Sequence, residues 1–170
     1  TRLRGPFDLD DDAAYRRWRH TKLQQQPHGV DDLIVDLADP RRLSAPERAA
    51  LLQRIHRASV ALYRSPVTAP DKNLPRQLGA QLGLHRLDAN WLADEDGISR
   101  ITVADAKAAQ AEAAAAYIPY TDRAIQWHTD GYYHPQQRRI RAMVLHCVRA
   151  AAHGGVNALM DHELAYIALR

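Results

Sequence analysis

Residues 126–133 read Gln126-Trp127-His128-Thr129-Asp130-Gly131-Tyr132-Tyr133. In extended chain, side chains two residues apart point the same way, so His128 and Asp130 can present an imidazole nitrogen and a carboxylate oxygen to one metal ion. The spacing His-x-Asp is common, and its ordinary reading is a surface turn with an aspartate cap. The surroundings set this instance apart. An indole precedes it, and a glycine and two tyrosines follow it. Downstream come the apolar run Met143-Val144-Leu145-His146-Cys147-Val148 and then Gly154-Gly155. That run reads as the strongest strand in the chain, and Ala158-Leu159-Met160 as a further short one. Asp161-His162-Glu163 then opens a last helix over 164–169.

Working upstream, the 104–116 stretch is nearly all alanine with a few charges. It favours helix intrinsically but has little apolar bulk to anchor it, so it reads as a loop with partial helix. Ile98 to Val103 alternates apolar and polar residues, as a half-buried strand does. Residues 77–84 suggest a short helix closed by Gly83. Farther back, Ser44-Ala45-Pro46-Glu47 is a helix start. Ser44 can accept from the backbone N–H three residues on, and Glu47 can reach back to the cap. Pro46 fits the first turn because its missing N–H has no intrahelical partner there. Leu51, Leu52, Ile55 and Ser59 recur at helical spacing, and the segment 60–63 after them has strand character. Leu33-Ile34-Val35-Asp36-Leu37 reads as a strand ended by Pro40. Residues 1–30 read as a peripheral segment, with a short helix over 13–20.

Composition narrows the function classes. The chain has 170 residues with a net charge of +3. No apolar stretch approaches the roughly 18 residues of a membrane span, so no membrane partner is expected. The arginines cluster around 16–19 and 138–141, but the net positive charge is mild and no nucleic-acid partner is expected. A lone cysteine, Cys147, excludes an internal disulfide scaffold and suits a reducing, cytoplasmic setting. In its strand context Cys147 reads as a small buried hydrophobe, and His146 as a packed strand residue.

A His and an Asp from one segment, joined by a distant His, make the 2-His-1-carboxylate triad of non-haem Fe(II) oxygenases. The open positions of that triad accept oxygen and a chelating cosubstrate. Gln126 to Tyr133, Met143 to Val148, Gly154-Gly155 and Asp161 together resemble the taurine dioxygenase (TauD/TfdA) family of Fe(II)- and 2-oxoglutarate-dependent oxygenases. Residues 44–64 are similar to the helix that delivers that family's first core strand, and 77–84 to the short helix after it.

The resemblance implies an α+β, mainly β fold: a double-stranded β-helix, or jelly roll, with flanking helices. Residues 31–170 would be the N-terminal part of that domain. It implies His128 and Asp130 as iron ligands, with Trp127, Tyr132 and Tyr133 lining a substrate pocket. Asn157 falls where the family often has a threonine that hydrogen-bonds 2-oxoglutarate. The implied reaction takes O2, converts 2-oxoglutarate to succinate and carbon dioxide, and hydroxylates a small organic acid.

In that family the third ligand and a 2-oxoglutarate-binding arginine lie well downstream, in the second half of the roll. The expectation is therefore a chain that carries the first half and is completed by a missing C-terminal half or by association. An incomplete roll leaves strand edges and an apolar face uncovered, which favours a homo-oligomer. Two other readings stand beside this one. The chain can be a truncated, catalytically inactive oligomeric binding or structural module. Alternatively, His128, Asp130 and His134 can hold zinc in a hydrolytic site.

Overall fold

The computed structural model describes residues 5–88, 96–102, 118, 121 and 123–170. The chain divides into two compact units. The first comprises Thr1–Gly83 with His146–Arg170, and the second comprises Leu84–Leu145.

The first unit is built around one parallel crossover. Strand β1 (Ile34–Asp36) leads through helix α2 (Ala45–Ala58) to strand β2 (Leu62–Arg64). The strands pair in parallel, Ile34 opposite Leu62, Val35 opposite Tyr63 and Asp36 opposite Arg64. Parallel neighbours need such a crossover because a tight turn cannot join them. The ladder is extended by Leu37 N–H donating to Arg64 O at 2.8 Å. Arg64 also grips Asp36 with two nitrogens, at 2.8 and 3.1 Å. That guanidinium holds the Asp36 carboxyl below its ordinary pKa and is itself pushed up.

Helix α2 begins where its sequence says it should. Ser44 Oγ accepts from Glu47 N–H, and the Glu47 carboxylate accepts from Ser44 N–H at 2.7 Å, which completes a capping box. The other Glu47 oxygen accepts from Ala38 N–H at 2.7 Å, so the same side chain ties the exit of β1 to the helix. The hydroxyl of Ser44 and these backbone donors hold Glu47 below its ordinary pKa. The helix ends at Ser59, which takes a left-handed conformation with φ 61°. That region is uncommon for a residue with a side chain. Here the Ser59 hydroxyl donates to Asp161 Oδ1 at 3.1 Å, a contact glycine could not make.

Helix α3 (Leu74–Gln81) buries Leu74 and Leu78. Its last residue, Gln81, accepts from Leu43 N–H at 2.6 Å and donates to Pro40 O at 3.1 Å. Val35, Leu37, Pro40, Leu51, Ala58, Leu74 and Leu78 are among the buried apolar residues of this core. Of the expected apolar face of α2, Leu51 is buried, while Ile55 is exposed.

The first thirty residues carry helix α1 (Asp12–Gln24), longer than the helix expected over 13–20. Asp11 caps it by accepting from Ala14 N–H at 3.0 Å. Phe7, Tyr15 and Trp18 pack with Tyr166 of the last helix, α4 (His162–Leu169). The Arg170 guanidinium lies 4.1 Å from the Tyr15 ring centre. It also donates to Pro6 O at 3.1 Å and to Asp12 Oδ1 at 3.0 Å. Lys22 is buried, and its ammonium donates to Arg57 O at 2.9 Å and to Asp161 Oδ2 at 2.6 Å, and pairs with Glu163.

The described residues do not by themselves form the expected double-stranded β-helix. Among the described residues the sheet has two strands, and helices predominate. Residues 143–148, 158–160 and 98–102 form no strand. A strand is stable only when its backbone donors and acceptors meet a neighbour and its apolar face meets a cover. Leu159 and Met160 are exposed, as is Cys147, which corrects the expectation of a buried thiol. Val144 and His146 are half-buried in that run, and Tyr63 Oη lies 2.6 Å from His146 Nδ1 with the two rings parallel. Burial raises the Tyr63 pKa. The alanine-rich stretch 104–116, Tyr120 and Trp91 lie outside the described residues. No helix among the described residues is long and apolar enough to cross a membrane.

Candidate metal centre

The second unit holds His128 and Asp130 on an exposed turn rather than on a strand. His128 Nε2 lies 3.7 Å from Asp130 Oδ1. His128 Nδ1 lies 2.7 Å from Gln126 O. A carbonyl oxygen can only accept, so Nδ1 carries the proton in that bond. The other ring nitrogen, Nε2, is the one on the side of Asp130. A backbone acceptor behind a histidine that fixes the tautomer in this way is the usual support of a metal ligand.

The turn is closed by Gly131. Its φ is +66°, and a Cβ there would run into Ile140 Cγ1 and would stand 2.9 Å from His134 Cδ2. His134 N–H donates back to Gly131 O at 2.9 Å. The chain then passes through Pro135 into a 3-10 turn over Gln136–Arg138. Thr129, Asp130, Tyr132, His134, Arg139 and Ile140 line an open hollow of about 580 Å3 on this turn.

His134 does not join the pair. Its Nε2 lies 3.2 Å from Asp88 Oδ2. The other Asp88 oxygen accepts from Arg138 Nη2 at 2.8 Å and Nε at 3.2 Å. The Arg138 guanidinium, with His134 beside it, holds the Asp88 carboxyl below its ordinary pKa. Sequence reasoning missed Asp88. It sits 42 positions before Asp130 in a stretch with no motif, and no periodicity points to it.

The remaining candidates are distributed as follows. Tyr132 lines the hollow, and its ring meets Tyr133 edge-on at 5.3 Å. Trp127 and Tyr133 are exposed. Asn157 belongs to the other unit, where its side-chain amide donates to Gly155 O at 3.4 Å. It follows the Gly154-Gly155 turn, in which both residues have φ of +70°.

The donor chemistry fits two ligands of one divalent ion. Bonds of roughly 2.0–2.2 Å to nitrogen and oxygen place neighbouring donors about 3 Å apart. The 3.7 Å separation of His128 and Asp130 is within a small side-chain adjustment of that. Among the described residues no group of three His, Cys, Asp or Glu side chains gathers at one point.

No match emerges from comparison with curated proteins or with solved structures. Residues 19–170 match the family described as taurine catabolism dioxygenase TauD, TfdA family. That span takes in β1, α2, β2, the His128–Asp130 turn and α4, and the chain belongs to the TauD/TfdA family.

Proposed function

We propose that this protein is a non-haem Fe(II)- and 2-oxoglutarate-dependent oxygenase that hydroxylates a small organic acid. The observation that carries the reading is the pair itself, with His128 Nε2 directed at Asp130 Oδ1 by the bond from Nδ1 to Gln126 O. Family membership supports the class of reaction. His128 and Asp130 would hold the iron, and a third histidine, supplied by another chain, would complete the triad. When bound, the iron couples O2 to the conversion of 2-oxoglutarate into succinate and carbon dioxide, and a hydroxyl goes to the substrate.

The protein's own groups have simpler tasks in this reading. The Gln126 carbonyl keeps the His128 proton on Nδ1. Gly131 turns the chain so that Asp130 stays beside His128. Tyr132, with Trp127 and Tyr133, offers an apolar rim to the substrate, and Asn157 offers an amide to 2-oxoglutarate. The fold in this reading is the family's double-stranded β-helix, and the setting is cytoplasmic and reducing.

The test is an anaerobic titration with Fe(II) and 2-oxoglutarate. The expected result is the weak visible charge-transfer band of the chelate, lost in His128→Ala and in Asp130→Ala. An unchanged band in His128→Ala removes the pair from the site.

A second reading is a catalytically inactive, oligomeric binding module. What favours it is the exposure of Val148, Val156, Leu159 and Met160, with Val156 at 92%. Succinate release coupled to oxygen uptake separates the two. Light scattering tests association, and a cleanly melting monomer counts against the oligomer.

A further inference from the structure

We propose that Asp88 is the positioning residue of the metal-binding turn, and that His134 serves as its strut and not as a third ligand. The proposal rests on the reading of His128 and Asp130 as a metal pair. Asp130 is half exposed, and the described residues give it no hydrogen bond of its own beyond the approach to His128. Its place is therefore set by the backbone of the turn. That backbone is held from behind by His134, through the 2.9 Å bond from its N–H to Gly131 O, and the imidazole stands where a Cβ on Gly131 would come within 2.9 Å of its Cδ2.

His134 is held in turn by Asp88. The two Asp88 oxygens are divided between His134 Nε2 and the Arg138 guanidinium. The carboxylate thus spans both ends of the segment 134–138 and fastens it as a loop. The His134 side chain is 15% exposed and that of Asp88 28%. The contact is therefore partly sheltered from water. The Tyr133 ring packs on the imidazole at 4.7 Å and restrains it further. With Nε2 committed to Asp88, the same nitrogen is not offered to an ion at Asp130. That commitment weighs against the zinc site built from His128, Asp130 and His134.

Groups that hold metal ligands in place typically contribute 10–100-fold to metal affinity. The test uses the full chain, with Co(II) as the probe. In the metal-free protein, Asp88→Asn should speed amide exchange of His134 N–H by about tenfold or more. In the Co(II) titration, Asp88→Asn and His134→Ala should each weaken binding by roughly 10–100-fold. The double variant should be no worse than the weaker single one, and the visible Co(II) spectrum at saturation should keep its shape. Asp88→Glu, which keeps the charge, should recover part of both losses.

Unchanged His134 exchange in Asp88→Asn overturns the proposal. So does a changed Co(II) spectrum in His134→Ala, since that would make His134 a ligand. Failure of the metal reading shows differently, as Co(II) binding that is indifferent to His128→Ala. The exchange measurement still reports on Asp88 in that case.

Discussion

Lys22 Nζ stands 2.6 Å from Asp161 Oδ2, and that contact joins the first helix to the last. Asp161 is also the N-cap of α4, accepting from Glu163 N–H at 3.0 Å, and it accepts from the Ser59 hydroxyl at the end of α2. Lys22 reaches the same end of α2 through Arg57 O. One buried ammonium and one capping carboxylate therefore organise the junction of three helices. Such a junction is costly to leave half made, because a lone buried charge has neither water nor a counter-ion.

Replacing Lys22 with methionine should accordingly destabilise the first unit. Removing one member of a buried pair typically costs 3–5 kcal/mol. The Glu163 side chain keeps 24% exposure and can rehydrate, so the expected loss is about 3 kcal/mol. Urea unfolding followed by tryptophan fluorescence measures it, since Trp18 lies in α1. Adding Asp161→Asn to Lys22→Met should recover part of the loss. A loss below about 1 kcal/mol would class the contact with surface pairs.

The same pair predicts an alkaline limit. Burial opposes the charge on Lys22, but the hydrogen bonds and charges of Asp161 and Glu163 outweigh it, and its pKa rises above the ordinary 10.5. A group whose folded pKa is raised contributes fully below the unfolded value. Its contribution falls once the unfolded lysine starts to lose its proton near 10.5, and it is gone above the folded value. The stability gap between wild type and Lys22→Met should therefore be flat through neutral pH and narrow only above about pH 10.5. A gap that narrows near neutrality would assign the effect to another group.

At the start of α2, Ser44→Ala removes the side-chain acceptor for Glu47 N–H and the hydroxyl that donates to the Glu47 carboxylate at 2.6 Å, leaving that carboxylate its two backbone donors. Loss of such a cap costs about 1 kcal/mol. Ser44→Asp, which keeps an acceptor, should lose less. Thermal melts of the two variants decide it, and equal melting points would deny the cap any role.

What could be read in advance divides along the range of the interactions. The Ser44–Glu47 box is local, and so was legible in four consecutive residues. So was the cap of α4, because Asp161 acts on Glu163, two residues on. The pairing of β1 with β2 was only half legible. Each strand showed in its apolar residues, but the parallel register is a property of the crossover. Residues 143–148 had the composition of a strand, yet composition does not supply a neighbour. Lys22 with Asp161 and Asp88 with His134 are pairs distant in sequence, and neither position stands out alone. At the proposed metal pair, His128 and Asp130 were singled out by spacing and surroundings. The groups bonded around them in the turn, Gln126 O and Asp88, were not.

Gly131 is where local and distant constraints meet, and its substitution is the sharpest test of the turn. Alanine there must adopt φ near +66°, a conformation that costs an L-residue roughly 1–2 kcal/mol. Its methyl would also press into Ile140 and the His134 ring. Neither neighbour is the free end of a long chain, because His134 is held by Asp88 and the contact on Ile140 is near its branch point. The backbone must give instead, and Asp130 is the next residue. Gly131→Ala should thus weaken Co(II) binding at His128 and Asp130 by about tenfold or more, as displaced supporting groups do. Asn tolerates the left-handed region better than alanine. Gly131→Asn therefore separates the two causes. If conformation dominates, Asn binds Co(II) more tightly than Ala. If the clash with Ile140 dominates, the larger side chain is the worse of the two. Wild-type affinity in both variants would mean that the turn does not set the position of Asp130.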